Sequence, residues 1–274
     1  MKKILIMLLS LLVLCSVLLL ASCGDGENPP AEASYTVELS PINGKDLCGA
    51  VVEFVDEAGA FLDYKELTSE NKVTSKPLSG KVFAKITDLP LGYVVENSTI
   101  ELTAESTKVE VKTEIIEDYD SLPTELCVGD VMYDMTFTDL DGNSYTLSEV
   151  LENKKMVLLN FWYSTCQPCK NEFPALNSVY LANKENALVL GLNTTDNSFS
   201  SFKDTFDPAL SIPLCKADLE VESLFAEGYS GNWGAPATIV IDRNGIVAYM
   251  HVGPMTETEF EALFAEYLAD EYTY

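Results

Sequence analysis

Two cysteines separated by two residues, Cys166-Gln167-Pro168-Cys169, are the part of this sequence best fitted to chemistry. An apolar run, Met156-Val-Leu-Leu159, leads into them through Asn160-Phe161-Trp162-Tyr163-Ser164-Thr165, and the residues behind, Lys170 to Tyr180, have helical spacing. The order strand, Cys-x-x-Cys, helix puts Cys166 at a helix N-terminus, where unpaired N–H groups and the positive end of the dipole stabilise a thiolate. A thiolate is the species that attacks disulfides, so the placement suits thiol–disulfide exchange. Cys166, at the helix start and more exposed, is then the nucleophile, and Cys169, one turn in and more buried, resolves the mixed disulfide. Pro168 has no N–H to lose in the first turn. Two other uses of the pair are open, half of a zinc site and an inert structural disulfide. A structural zinc takes four ligands, whereas there is no second Cys-x-x-Cys and the only histidine, His251, falls in a predicted strand; no metal site and no cofactor are expected. An inert disulfide gives no reason for the pair to sit between a strand and a helix.

The surrounding sequence supplies elements to position the pair. Before it, Met135–Leu140, Asp141-Gly142 and Tyr145–Leu147 read as a hairpin, and Leu147–Leu151 begins a short helix. After it, Ala187-Leu-Val-Leu-Gly-Leu192 fits a buried parallel strand. Helices are predicted over 198–206 and 216–227, a hairpin over Ala237–Asp242 and Ile246–Val252, and an amphipathic helix over 257–269. Residues 34–117 read differently, as an all-β sandwich with strands at 35–39, 50–55, 81–86, 93–95, 99–103 and 108–112, separated by turns such as Asn43-Gly44 and Ser79-Gly80. That part shows no catalytic constellation and reads as a spacer or docking module. Residues 118–126 form the linker, and 127–274 the redox domain.

The N-terminus and the composition bear on location. Lys2 and Lys3 precede an apolar run from Ile4 to Leu20, and Leu20-Ala21-Ser22-Cys23 follows. This reads as an export signal over 1–22, with a retained anchor helix as the other reading. The junction resembles a bacterial lipobox. That resemblance implies that Cys23 is lipidated and becomes the mature N-terminus, anchoring the protein extracytoplasmically to the bacterial cell membrane. Residues 23–33, with Pro29-Pro30, read as a flexible tether. The formal net charge is −26, and loss of Lys2 and Lys3 makes it more negative; phosphate backbones repel such a chain, so nucleic acid is excluded as a partner. Outside the cytoplasm disulfides persist. Cys48 and Cys127 are candidates for a bridge between the two parts, and Cys215, ahead of a predicted helix, is either a small buried hydrophobe or a further thiol near the site.

Residues 127–270 resemble the membrane-anchored TlpA/ResA-like branch of the thioredoxin superfamily. The matching pieces are Val128-Gly129, Leu140-Asp-Gly142, Leu147-Ser148, Leu159-Asn-Phe-Trp162, Cys166-x-Pro-Cys169, Glu172-Phe-Pro174, Ala235-Pro236, Ile241-Asp242 and Gly245. The resemblance implies an α/β thioredoxin-like fold, with a central mixed sheet flanked by helices. It also implies that Glu172 takes part in proton chemistry beside the thiols, that Pro174 kinks the catalytic helix, and that Pro236 is cis and faces the cysteines. The backbone of Ala235 would then pair with a substrate strand, and Trp233 either lines the same groove or packs in the ordinary way. The chain departs from the family at Thr165, where a tryptophan is common and substrate choice is affected, and at Tyr133-Asp134 in place of Ala-Pro-Asp. The β part loosely resembles the B-type repeat modules of Gram-positive surface proteins. The implied partners are protein thiols and disulfides, for example apocytochrome c or another exported protein, with electrons from a membrane redox protein. The competing reading is a surface-binding lipoprotein whose thioredoxin-like part is redox-inactive or carries Cu(I), which thiolates favour.

Overall fold

In the computed structural model the described residues are 31–68, 70–117, 125–196 and 210–270. The proposed signal, Cys23 and most of the tether and linker lie outside them, as does the predicted helix over 198–206. Among the described residues, no helix is long and apolar enough to cross a membrane.

The second half of the chain is built on a five-stranded sheet. Its strands are β11 (Met156–Phe161), β12 (Ala187–Asn193), β13 (Leu214–Lys216), β14 (Ala237–Asp242) and β15 (Val247–Val252), in the order β13-β12-β11-β14-β15. β11 is central, parallel to β12 and antiparallel to β14, and all six of its residues are buried. That burial on both faces is why it reads as an apolar run rather than as an alternation. Val157, Leu159 and Phe161 join a core on one face, which includes Phe225 of α3 (Leu219–Gly228). Met156 and Leu158 join the core on the other face, with α2 (Gln167–Asn183) and α4 (Glu257–Leu268). Ahead of the sheet come the hairpin strands β9 (Thr136–Thr138) and β10 (Ser144–Thr146), then α1 (Leu147–Leu151). Asp134 accepts from the Ser148 N–H and hydroxyl, fixing the start of α1. This is the thioredoxin-like arrangement expected, with one correction. Cys215 lies inside the short strand β13, and the helix predicted from 216 begins only at Leu219. A three-residue strand is too short to show a period in the sequence.

The first half is a β-sandwich of two four-stranded sheets. One contains β1 (Thr36–Pro41), β4 (Lys72–Thr74), β6 (Tyr93–Val94) and β8 (Ser106–Thr113), in the order β4-β1-β8-β6. The other contains β2 (Val51–Val55), β3 (Phe61–Glu66), β5 (Phe83–Thr87) and β7 (Thr99–Glu101), in the order β3-β2-β5-β7. Strands β3 and β4 were not expected. In β3 the pairing with β2 slips between Phe54 and Val55, so that Val55 faces Phe61 and Phe54 faces Asp63. Leu62 is the extra residue of this bulge, and a bulge erases strict alternation.

The sandwich is packed against the sheet domain rather than strung from it. Ile116 bridges Tyr133, with its N–H on Met132 O and its carbonyl taking the Asp134 N–H. The Tyr93 hydroxyl donates to Gly129 O at 2.6 Å and itself accepts from Asn43 Nδ2. Lys45 pairs with Asp130 at 2.6 Å, and Thr113 Oγ1 donates to Asn244 O. Gly92, at φ +80, lies so close to Val131 that a Cβ there would be 2.5 Å from the valine Cβ. Asn244 is in the β14–β15 turn, at the Met156 end of β11. The sandwich therefore meets the sheet at the pole opposite the cysteines.

Candidate active site

Helix α2 starts where β11 has run out and the chain has turned through Tyr163-Ser164-Thr165. Cys166 is its N-cap, in extended conformation, and Cys166 Sγ accepts the Cys169 N–H at 3.2 Å. Cys166 and Cys169 are joined as a disulfide. On reduction the same N–H meets a thiolate, with the dipole of a 17-residue helix behind it. Both sulfurs are sheltered, Cys166 at 2 % and Cys169 at 0 % exposure. The expected contrast between an exposed and a buried cysteine is thus nearly absent in the oxidised pair, because Ala235 and the core beneath α2 pack over Cys166. The helix continues through Pro174 as one element.

Ala235 and Pro236 lie directly beside the pair. Their peptide bond is cis, and the Ala235 carbonyl oxygen is 3.7 Å from Cys166 Sγ. Pro236 O takes the Gly253 N–H at 2.8 Å, tying this loop to the one that precedes α4. Trp233 is half-buried. It packs edge-on against Phe161 and Tyr229, and its Nε1 donates to Glu222 Oε1 at 2.9 Å; Thr194 donates to the other oxygen of Glu222. Thr165 is exposed, and Cys166 remains covered without an aromatic side chain at that position.

Glu172 lies one turn beyond Cys169, on the buried side of α2, at 3 % exposure. Its Oε1 accepts from Asn160 Nδ2 and its Oε2 from the Met255 N–H, each at 2.9 Å. Burial pushes its carboxyl above the ordinary carboxylate value, and the Met255 and Asn160 donors hold it partly back. A carboxyl so poised can take up and release a proton beside a thiol. Three contributors carried no assigned role in the sequence. Asn160 was visible as the one polar residue in the run Met156–Phe161. Met255 acts through its backbone and leaves no sequence signal. Asp196 accepts the Ser164 N–H and Asn193 Nδ2, fastening the loop ahead of Cys166.

The other cysteines stay apart. Cys48 and Cys127 are free and form no bridge between the two parts. Cys215 is fully buried, and burial pushes its thiol up to about 12; of the two readings it is the small buried hydrophobe. Arg243 donates to the Tyr267 and Ala269 carbonyls at the end of α4. Among the described residues no group of three or more His, Cys, Asp or Glu is placed to hold a metal ion.

Residues 127–266 match the Redoxin family, which is half of the chain and includes Cys166, Cys169, Glu172, Ala235 and Pro236. The chain belongs to that family. This redoxin is 31% identical over 141 residues to the thiol-disulfide oxidoreductase ResA of Geobacillus kaustophilus, covering 50% of this chain and 76% of that one. It is 30% identical over 137 residues to the thioredoxin-like protein YneN of Bacillus subtilis, covering 47% of this chain and 73% of that one. A solved structure of a putative thiol:disulfide interchange protein DsbE from Chlorobium tepidum aligns over 53% of this chain and 100% of that chain, at 25% identity and a TM-score of 0.42. The redox half of the chain is a TlpA/ResA-like, thioredoxin-like thiol–disulfide oxidoreductase.

Proposed function

We propose that this oxidoreductase works outside the cytoplasm, held to the bacterial cell membrane by lipid on Cys23, and reduces disulfides of exported proteins through Cys166 and Cys169. The observation that carries the reading is the Cys166 sulfur, seated on the Cys169 N–H at the start of α2 and facing the Ala235 carbonyl. In the reduced protein the Cys166 thiolate attacks one sulfur of a substrate disulfide, and the other sulfur leaves as a thiolate. Cys169 then gives its proton to the Glu172 carboxylate, and the resulting thiolate attacks Cys166. The Cys166–substrate bond breaks, the substrate is left reduced by two electrons, and the enzyme is left as the disulfide seen here. Ala235 presents backbone beside Cys166, suited to aligning an extended substrate segment. Export is supported by the basic, apolar and Leu-Ala-Ser-Cys sequence at 1–23. A membrane redox protein would return electrons to the pair, and apocytochrome c is one class of exported substrate.

The test is insulin reduction by the chain from Gly24 onward. Wild type should turn over, Cys166→Ser should lose all exchange, and Cys169→Ser should hold partners as mixed disulfides on Cys166. Exchange that survives Cys166→Ser would refute the mechanism. A wild type without exchange would favour a binding protein.

A further inference from the structure

Asn160 is a polar side chain near the end of the central strand β11, whose residues are all buried, and is itself at 0 % exposure. Strand alternation turns it to the α2 side, where its Nδ2 donates to Glu172 Oε1 at 2.9 Å and reaches Thr238 Oγ1 at 3.4 Å. Its carbonyl oxygen, Oδ1, is buried and meets no donor among the described residues. A buried acceptor without a donor costs free energy and calls for a reason. The chemistry of Glu172 supplies one. A carboxylate only accepts, so while Glu172 is ionised the amide must offer it nitrogen. Once Glu172 takes a proton, its O–H is a donor, and the same site then wants an acceptor.

A half-turn about the Asn160 Cβ–Cγ bond exchanges Nδ2 and Oδ1, placing the carbonyl where the nitrogen now stands against Oε1. The Thr238 hydroxyl both donates and accepts, so it serves either orientation by rotating its own hydrogen. One amide group goes unpaired in each orientation.

We propose that Asn160 is a positioning residue that follows the protonation of Glu172 by turning its amide over, donating to the carboxylate and accepting from the carboxylic acid, with Thr238 reversing its hydroxyl in step. Met255 N–H serves the other oxygen, Oε2, in both states. The proton in question is the one leaving Cys169, so the role rests on the exchange mechanism proposed above. The other groups around Glu172 bring no competing charge. β11 and β14 offer Asn160 and Thr238, α2 offers Cys166 and Cys169, and the acidic first turn of α4 (Glu257, Glu259) lies exposed. The amide lets Glu172 hold or release a proton without moving the backbone that carries the cysteines.

The experiment is an NMR pH titration of the full chain in its disulfide form, following Glu172 by its carboxyl carbon and Asn160 by its side-chain amide. It needs no substrate, so its outcome is separable from that of the insulin assay. The Asn160 amide resonances should move with the Glu172 midpoint. Asn160→Leu, of similar size, should raise that midpoint by roughly one pH unit, because the charge-assisted bond it gives the carboxylate is stronger than the neutral bond it accepts from the acid. Asn160 resonances that stay fixed while Glu172 titrates would overturn the proposal in the wild type, whether or not the leucine variant folds. A Glu172 midpoint unchanged in Asn160→Leu would overturn it as well.

Discussion

Glu172 shows how a single side chain can couple stability to the proton step. Its folded carboxyl lies above the ordinary value of 4.5, so the charged form is the one the fold disfavours. Stability from this residue is fully present below that ordinary value and is lost as pH rises through the folded midpoint. Glu172→Gln should therefore gain stability over wild type in urea melts at about pH 8 and show little difference at about pH 4. The same substitution should remove the rise of insulin reduction with pH through the Glu172 midpoint, since no carboxylate remains to accept the Cys169 proton. Much of this site was legible in the sequence, Cys166 and Cys169 by type and spacing, and Glu172, Ala235 and Pro236 through the family resemblance. What escaped was of another kind. The Met255 donor belongs to a backbone 83 residues from Glu172, and the near-equal shelter of the two sulfurs depends on a loop folded over them. Trp233, its role left undecided by the sequence, is anchored to Glu222.

At the scale of elements, the Met255 N–H is aimed by the helix that follows it. Thr256 and Glu259 form a capping box, Thr256 Oγ1 accepting the Glu259 N–H and Glu259 Oε2 taking the Thr256 N–H. Thr256→Ala should cost about 1 kcal/mol of stability by urea titration. It should also slow exchange, because the loop holding Glu172 from above loses its anchor. Long elements were plain from sequence, α2 and α4 by their helical spacing and β11 and β12 by their unbroken apolar runs. Those missed were short or irregular. β13 has three residues, and β3 carries a bulge that puts apolar and polar side chains out of step. Period is a property of several turns or several pleats, and neither segment has enough of them.

At the scale of the whole molecule, the sandwich and the redox domain share one buried core, in which Tyr93 and Ile116 lie with Val131, Tyr133 and Ile246. Unfolding should be a single transition, seen together by far-UV circular dichroism and by tryptophan fluorescence. Both tryptophans, Trp162 and Trp233, lie in the redox domain. Gly92→Val would force a side chain into Val131 at a left-handed backbone position, and should cost about 1–3 kcal/mol or more. The loss should appear in the tryptophan signal although Gly92 belongs to the sandwich; a fluorescence midpoint unmoved by the change would mean that the two parts melt separately. The contacts at Asn244 and Gly129 set a further condition on any partner. The chain enters the sandwich near Ala33, crosses it along β1 to reach the interface, and then crosses the sheet along β11 to reach Cys166. Each crossing is a six-residue strand of about 20 Å. The cysteines thus lie at the end of the redox domain away from the sandwich, and a disulfide held beside the sandwich is out of reach unless the molecule tilts or the substrate rises to meet it.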